Sequence, residues 1–322
     1  MADAEVGVVI YMNLAPVVLF AYRRVRHLAD VVEGLQGNPD AVNTTLIVYC
    51  DAAASASHLT EVQEVREFTR GITGFAALRI IERERNYGLS RSITEGVAEV
   101  CEEFGRAIVL EDDIVPSDYF LSYVNAALEK YADDDRVLCI GCYTFDVGIP
   151  LPESFFLRVP DCWGWAVWRR SWKFYDPDGL KLLTELRRRD LHDTFDFDGA
   201  YPYCRMLEDQ ALGYNDSWAV RWYAKALLEG KLVLYPGRSV TANIGFDATG
   251  THAARGAGRP TSMLTDRPIE VADIGVEENV LARAVWETEM RRMRPPLARR
   301  VLYDIRSRIA RLLRRHHLPN LT

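Results

Sequence analysis

A mostly parallel, Rossmann-like central sheet flanked by helices, followed by a helical C-terminal extension, is the α/β arrangement this sequence predicts. Three observations carry that expectation. Short apolar runs alternate with amphipathic stretches of helical spacing along the first half of the chain, the pattern of repeated strand and helix units. The run Ile108-Val109-Leu110 is apolar without alternation, as in a strand covered on both faces of a parallel sheet. That run stops at three consecutive carboxylates, Glu111, Asp112 and Asp113. In an open α/β sheet the carboxyl ends of the strands bind ligands near a switch in strand order. Adjacent carboxylates repel one another unless a cation or hydrogen-bond donors hold them. They are also hard oxygen ligands suited to Mg²⁺ or Mn²⁺, although a solvated acidic turn would look the same in isolation.

The chain has 322 residues, 48% of them hydrophobic, enough to bury a large core. Its formal charge of −7 argues against a general nucleic-acid binder, and the charge is unevenly spread. From Arg283 onward eleven Arg face three acids, giving a tail of about +8 on a body of about −15. Met1 to Glu5 carries two acids and no basic residue, unlike a secretory signal. No apolar stretch is long enough to cross a bilayer. Among six cysteines only Cys139 and Cys142 have CxxC spacing, with no second pair, so reduced thiols in a cytoplasmic protein are expected.

In chain order, Val6–Met12 reads as a first buried strand that leaves the sheet through Asn13 and Pro16. Val17–Leu35 has helical spacing, with Arg23, Arg24 and Arg26 on its wet side. Thr45–Tyr49 is a second strand that ends at Cys50-Asp51, where an acid serves either as a turn residue or as a partner for a base or ribose. Leu59–Arg70 is a polar helix and Leu78–Glu82 a third strand. Asn86 and Gly88 mark a turn, Ser90 is placed to cap the helix Ile93–Phe104, and Arg91 falls in its first turn. Such a helix start offers free N–H groups to a diphosphate. The absence of GxGxxG after the first strand makes a dinucleotide unsuitable.

Asp118–Tyr131 reads as a helix, Val137–Cys142 as a strand, and Phe155–Val159 as a strand that runs into four tryptophans within ten residues, Trp163, Trp165, Trp168 and Trp172. Aromatic faces stack on sugars as well as on one another, so these rings divide between core and an acceptor platform. Gly164 favours Trp165 for the platform, with Trp163 beside it. Lys181–Arg189 is helical and Leu191–Pro202 a loop. Asp216 precedes an apolar helical run through Leu228 and reads as a cap or as a functional acid. Leu232–Tyr235 is a strand, and Asn243–His252 is a glycine-rich loop that delivers a histidine suited to a metal or phosphate.

Taken together, Leu110–Asp113, Trp163–Trp168, Asp216–Trp222 and Asn243–His252 resemble, in that order, the GT-A fold nucleotide-sugar glycosyltransferases. The likeness is to bacterial family 2 type enzymes related in layout to N-acetylglucosaminyltransferase I. It covers Val6 to His252 and implies a catalytic domain over residues 1–275 and a basic extension over 276–322. It further implies that Tyr11, Asn13, Pro16, Asp51, Asn86, Arg91, Glu111 and Asp112 face the nucleotide-sugar, and that Asp113 and His252 hold Mn²⁺ or Mg²⁺. The same likeness makes Asp216 the base of an inverting transfer, although Ser217 stands between it and Trp218; Asp209 is the second candidate because Glu208-Asp209 resembles the family's x-Glu-Asp element.

The implied activity moves a sugar, hexosyl or N-acetylhexosaminyl, from a UDP-linked donor to a glycan or lipid-linked hydroxyl. A sugar-phosphate nucleotidyltransferase is disfavoured because Tyr11–Pro16 lacks the basic, glycine-rich phosphate loop such enzymes place after the first strand. An inactive carbohydrate-binding relative is disfavoured by the intact acids. Glu277–Arg292 and Val301–Leu313 read as two helices separated by Pro295-Pro296. The second is basic and amphipathic, suited to the inner face of a membrane or to docking on the acidic body.

Overall fold

The computed structural model describes residues 14–246 and 263–294. The run Val6–Met12 and the helix expected at Val301–Leu313 lie outside them. The first described strand, β1, is Val17–Ala21, a run that the sequence reading assigned to a helix. All five residues are buried, with neighbours on both sides and both faces. A fully apolar run abutting a helix carries no period of its own, so the helical pattern was extended over it by the true helix α1, Val25–Gln36. Leu28, Val31, Val32 and Leu35 of α1 recur at helical spacing and turn inward.

Strands β2 (Thr45–Cys50), β3 (Ala77–Glu82) and β4 (Arg106–Glu111) join β1 in a parallel block, connected through α2 (Leu59–Arg70) and α3 (Leu89–Phe104). A short strand β5 (Ile114–Pro116) leads to α4 (Phe120–Lys130). Beyond β4 the sheet mixes directions. β6 (Val137–Gly141) and β9 (Leu232–Pro236) run with the block, whereas β7 (Ser154–Leu157) and β8 (Trp165–Trp168) run against it. The sheet order is β3-β2-β1-β4-β8-β6-β9-β7, mostly parallel. Phe155 to the tryptophan run is therefore not one strand: β7 closes the far edge and β8 fills the gap between β4 and β6.

Helices cover both faces. One face packs α1 and α4 through Leu28, Leu35, Phe120 and Val124. The other packs α3 and three further helices, α6 (Gly179–Arg188), α8 (Tyr203–Ala211) and α9 (Trp218–Leu228), numbered after the single turn α5 (Arg169–Trp172) and the turn α7 (His192–Phe195) that interrupts the loop expected over Leu191–Pro202. The final described helix, α10 (Val280–Met293), inserts Ala282, Trp286 and Met290 into that same core, with the Trp286 ring 5.0 Å from Phe145. This helix is joined to the main body by apolar packing. A two-stranded ribbon of β5 and β10 (Thr241–Asn243) lies apart from the main sheet and sets what crosses the strand ends.

Candidate active site

Because β1, β2, β3 and β4 are parallel, the residues that follow them emerge along one edge. Tyr22-Arg23-Arg24 follows β1, Asp51 follows β2, the turn with Asn86 follows β3, and Asp112-Asp113 follows β4. From β1 the chain steps outward through β2 to β3 and then crosses back to lay β4 on the other side of β1, so the strand order switches between β1 and β4, where α/β sheets take ligands. Pro16 does not belong to it. It precedes β1, where its carbonyl accepts from Ile108 N–H, so it stands at the amino end of the sheet. The nucleotide-facing loop expected at Tyr11, Asn13 and Pro16 is displaced by one element: Tyr11 and Asn13 lie outside the described residues, and the segment after the first described strand is Tyr22–Arg24. That segment is basic but has no glycine, so it meets only half of the phosphate-loop pattern.

The cation at the acid cluster is Arg24, read from sequence as a solvated helix residue. Its Nη2 donates to Asp112 and lies 2.9 Å from Asp113 Oδ2, while Tyr22 N–H donates to Asp112 Oδ2 at 3.3 Å. Burial raises the Asp112 carboxyl above its ordinary pKa, and Arg24 opposes that shift. Glu111 is held well above its ordinary range by desolvation and then by Asp113 and Asp112. Ribbon pairing brings the loop after β10 across these acids: Ile244 N–H donates to the Asp113 carbonyl at 2.9 Å. Gly245 abuts the Asp113 carboxylate so closely that a Cβ there would stand 2.1 Å from Oδ2. Any side chain at 245 would push the Asp113 carboxylate from this position. His252, six residues beyond Phe246, lies outside the described residues.

Asp51 is saturated by the protein. Its carboxylate accepts from Ala52 N–H, Asn86 Nδ2, Tyr87 N–H and Gly88 N–H at 2.8–3.1 Å, so it shapes the 86–88 turn. Asn86 is turned inward onto Asp51 and the Ala52 carbonyl. Gly88, with φ +71, starts α3 in place of the expected Ser90 cap, and Ser90 Oγ instead accepts from Arg221 at 2.7 Å. Arg91 is exposed, pairs with Glu95 and lies 4.0 Å over the Tyr87 ring. Arg83 and Arg85 approach the same ring, a concentration of cations that spacing alone did not reveal.

The tryptophans divide otherwise than expected. Trp165 is 1% exposed and stacks on Trp218 at 5.2 Å and Trp172 at 5.4 Å, so it is core and no acceptor platform. Gly164, with φ +88, admits Thr241 of the ribbon, not a ligand. Trp163 is the partly exposed ring; it meets Phe246 at 5.6 Å and Tyr143 at 4.6 Å. Asp161 accepts from Trp163 N–H, and burial raises its carboxyl to about 7. A carboxyl whose folded pKa exceeds its unfolded value stabilises the fold while protonated and loses that contribution as pH rises toward 7. Asp161→Asn is therefore expected to flatten the fall in stability between about pH 4 and about pH 7, by up to about 1.4 kcal/mol per pH unit. Denaturant unfolding of both proteins across that window checks it, and parallel curves would contradict it.

Of the two candidate bases, Asp216 is 75% exposed and pairs with Arg221 at 3.3 Å. The helix cap is Ser217, whose side chain accepts from Val220 N–H, so Asp216 is not needed for capping. Asp209 is 4% exposed on α8 and pairs with Arg205 at 3.2 Å. Among the described residues no three His, Cys, Asp or Glu side chains are arranged to hold a metal ion.

No family model and no curated protein matches the chain. Among solved structures it is similar to S. aureus TarS, at 11% identity over 73% of this chain and 37% of that one, with a TM-score of 0.40. A shorter TarS form, 1–349 in complex with UDP-GlcNAc, gives 12% identity over 71% and 57% at a TM-score of 0.38. The mannosyltransferase PcManGT from Pyrobaculum calidifontis, in complex with GDP-Man and Mn²⁺, gives 13% over 66% and 73% at 0.35. The chain spans about a third to three fifths of the TarS forms.

Proposed function

We propose that this protein is an inverting, metal-dependent glycosyltransferase that moves a sugar from a nucleotide-sugar, UDP-linked by resemblance, to a hydroxyl of a glycan or lipid-linked acceptor. The observation that carries the reading is the convergence of Asp112 and Asp113 with a cation at the carboxyl edge of the parallel block, roofed by the loop after β10. An acid pair that already binds a guanidinium has the charge and oxygen donors a divalent cation requires. Asp113 would hold Mn²⁺ or Mg²⁺, with His252 as a further ligand. Such an ion, when bound, neutralises the diphosphate and stabilises it as the leaving group.

The chain's own residues supply the rest. The turn fixed by Asp51, with Asn86, and the first turn of α3, with Arg91, form the wall for the nucleotide and its phosphates. Glu111 and Asp112, next to Asp113 in the chain, would face the donor sugar. Trp163 offers the acceptor an aromatic face. Asp216 is the base, since an exposed carboxylate can reach an incoming hydroxyl, and its pairing with Arg221 holds it in place. Asp209, buried against Arg205, is the second candidate.

No helix among the described residues is long and apolar enough to cross a membrane. The domain division at residue 275, a cytoplasmic location and contact of the basic tail with an anionic membrane surface belong to the same proposal. Screening nucleotide-sugars by thermal unfolding with and without Mn²⁺ tests it. One donor is expected to stabilise the chain only when the metal is present, because a ligand stabilises the state it binds. Stabilisation by none, or equal stabilisation after chelation, would refute the reading.

A further inference from the structure

The acid pair of this site is not bare. Arg24 reaches both carboxylates with one nitrogen, Nη2, and the three side chains are 18%, 6% and 14% exposed for Arg24, Asp112 and Asp113. Its other terminal nitrogen, Nη1, is enclosed yet has no hydrogen-bond partner among the described residues. Arg24 sits at the residue before α1, with φ −112 and ψ 72, and its side chain makes no capping bond to that helix. The guanidinium is therefore anchored at one end only, by the carboxylates it neutralises.

We propose that Arg24 is a resident counter-cation of the Asp112 and Asp113 pair that a divalent ion displaces, so that metal loading is an exchange of one cation for another. The proposal rests on the reading that Asp113 takes a divalent cation. Asp113 Oδ2 faces Arg24 at 2.9 Å, and a metal at ligand distance from the same oxygen would stand against the guanidinium, where two like charges repel strongly in a partly buried setting. Without either cation the adjacent carboxylates repel each other. Arg24 thus holds the strand end in its working shape before metal arrives and lowers the apparent affinity for metal alone.

Mn²⁺ alone, titrated into the full chain without nucleotide and followed by the paramagnetic resonance of free Mn²⁺, tests this. Arg24→Met is expected to bind Mn²⁺ about tenfold tighter than the native chain, a factor equivalent to about 1.4 kcal/mol. Arg24→Lys should fall between them, because the ammonium keeps the charge on a shorter side chain that reaches the two acids less closely. In chelator the Met variant should melt below the native protein, and Mn²⁺ should restore it. Equal or weaker Mn²⁺ binding by Arg24→Met overturns the exchange while leaving the metal reading standing, provided Asp113→Ala still weakens native binding. Absence of Mn²⁺ binding in every form overturns both. Should the Met variant fail to fold, the Lys variant decides, and affinity no higher than native overturns the exchange.

Discussion

Asp113→Ala is expected to lower kcat/KM by on the order of 10³ and to abolish the Mn²⁺-dependent part of donor stabilisation. The expectation follows from placement. Asp113 lies one residue beyond its neighbour Asp112, after the central strand β4, in contact with Arg24 and directly beneath Gly245. Removing its carboxylate leaves one acid facing Arg24 and deprives the crevice of the oxygen best placed for a cation. The fold should persist, because β4 keeps its pairing with β1 and β8 and the substitution removes no apolar packing. Steady-state rates and thermal unfolding with and without Mn²⁺ check it. A variant that retains metal-dependent donor stabilisation would remove Asp113 from the site.

Asp216→Asn should behave in the opposite way: donor binding nearly unchanged, transfer reduced by about 10²–10⁴. The amide preserves size and can still meet the solvent-facing side, but it cannot take a proton. Arg221, which also bonds Ser90 and the Ser217 and Pro177 carbonyls, keeps its other partners, so α9 and α3 should stay joined. Rates with donor saturating separate this from a binding defect. If Asp209→Asn stops transfer and Asp216→Asn does not, the base is the buried acid on α8.

Much of the scaffold was legible because buried parallel strands announce themselves. Thr45–Cys50 and Arg106–Glu111 carry buried apolar runs closed by polar turns, Ala77–Glu82 is the more exposed edge strand beside them, and the residues that follow the three fall along one edge as the strand order dictates. The first described strand was not legible, since Val17–Ala21 runs almost directly into α1 with only three intervening residues, Tyr22, Arg23 and Arg24. Two consequences followed. The sequence pattern points Pro16 to the wrong end of the sheet, and it makes Arg24 look like a solvated helix charge when it is the cation of the acid pair. Trp165 and Trp163 are two residues apart and chemically identical. Only the tertiary stack of Trp165 on Trp172 and Trp218 separates core from cleft. The covering of Asp113 by Gly245 depends on ribbon pairing between residues far apart in sequence, which no local pattern encodes.

The central claim is that Asp113 joins a divalent cation to a nucleotide's diphosphate at this edge. It is tested most directly by measuring bound Mn²⁺ in the presence of UDP or GDP, for the native chain and for Asp113→Ala. The account predicts that nucleotide and metal raise each other's affinity in the native chain and that this mutual gain disappears in the variant. Nucleotide binding of equal strength with and without Mn²⁺ in the native chain would contradict it.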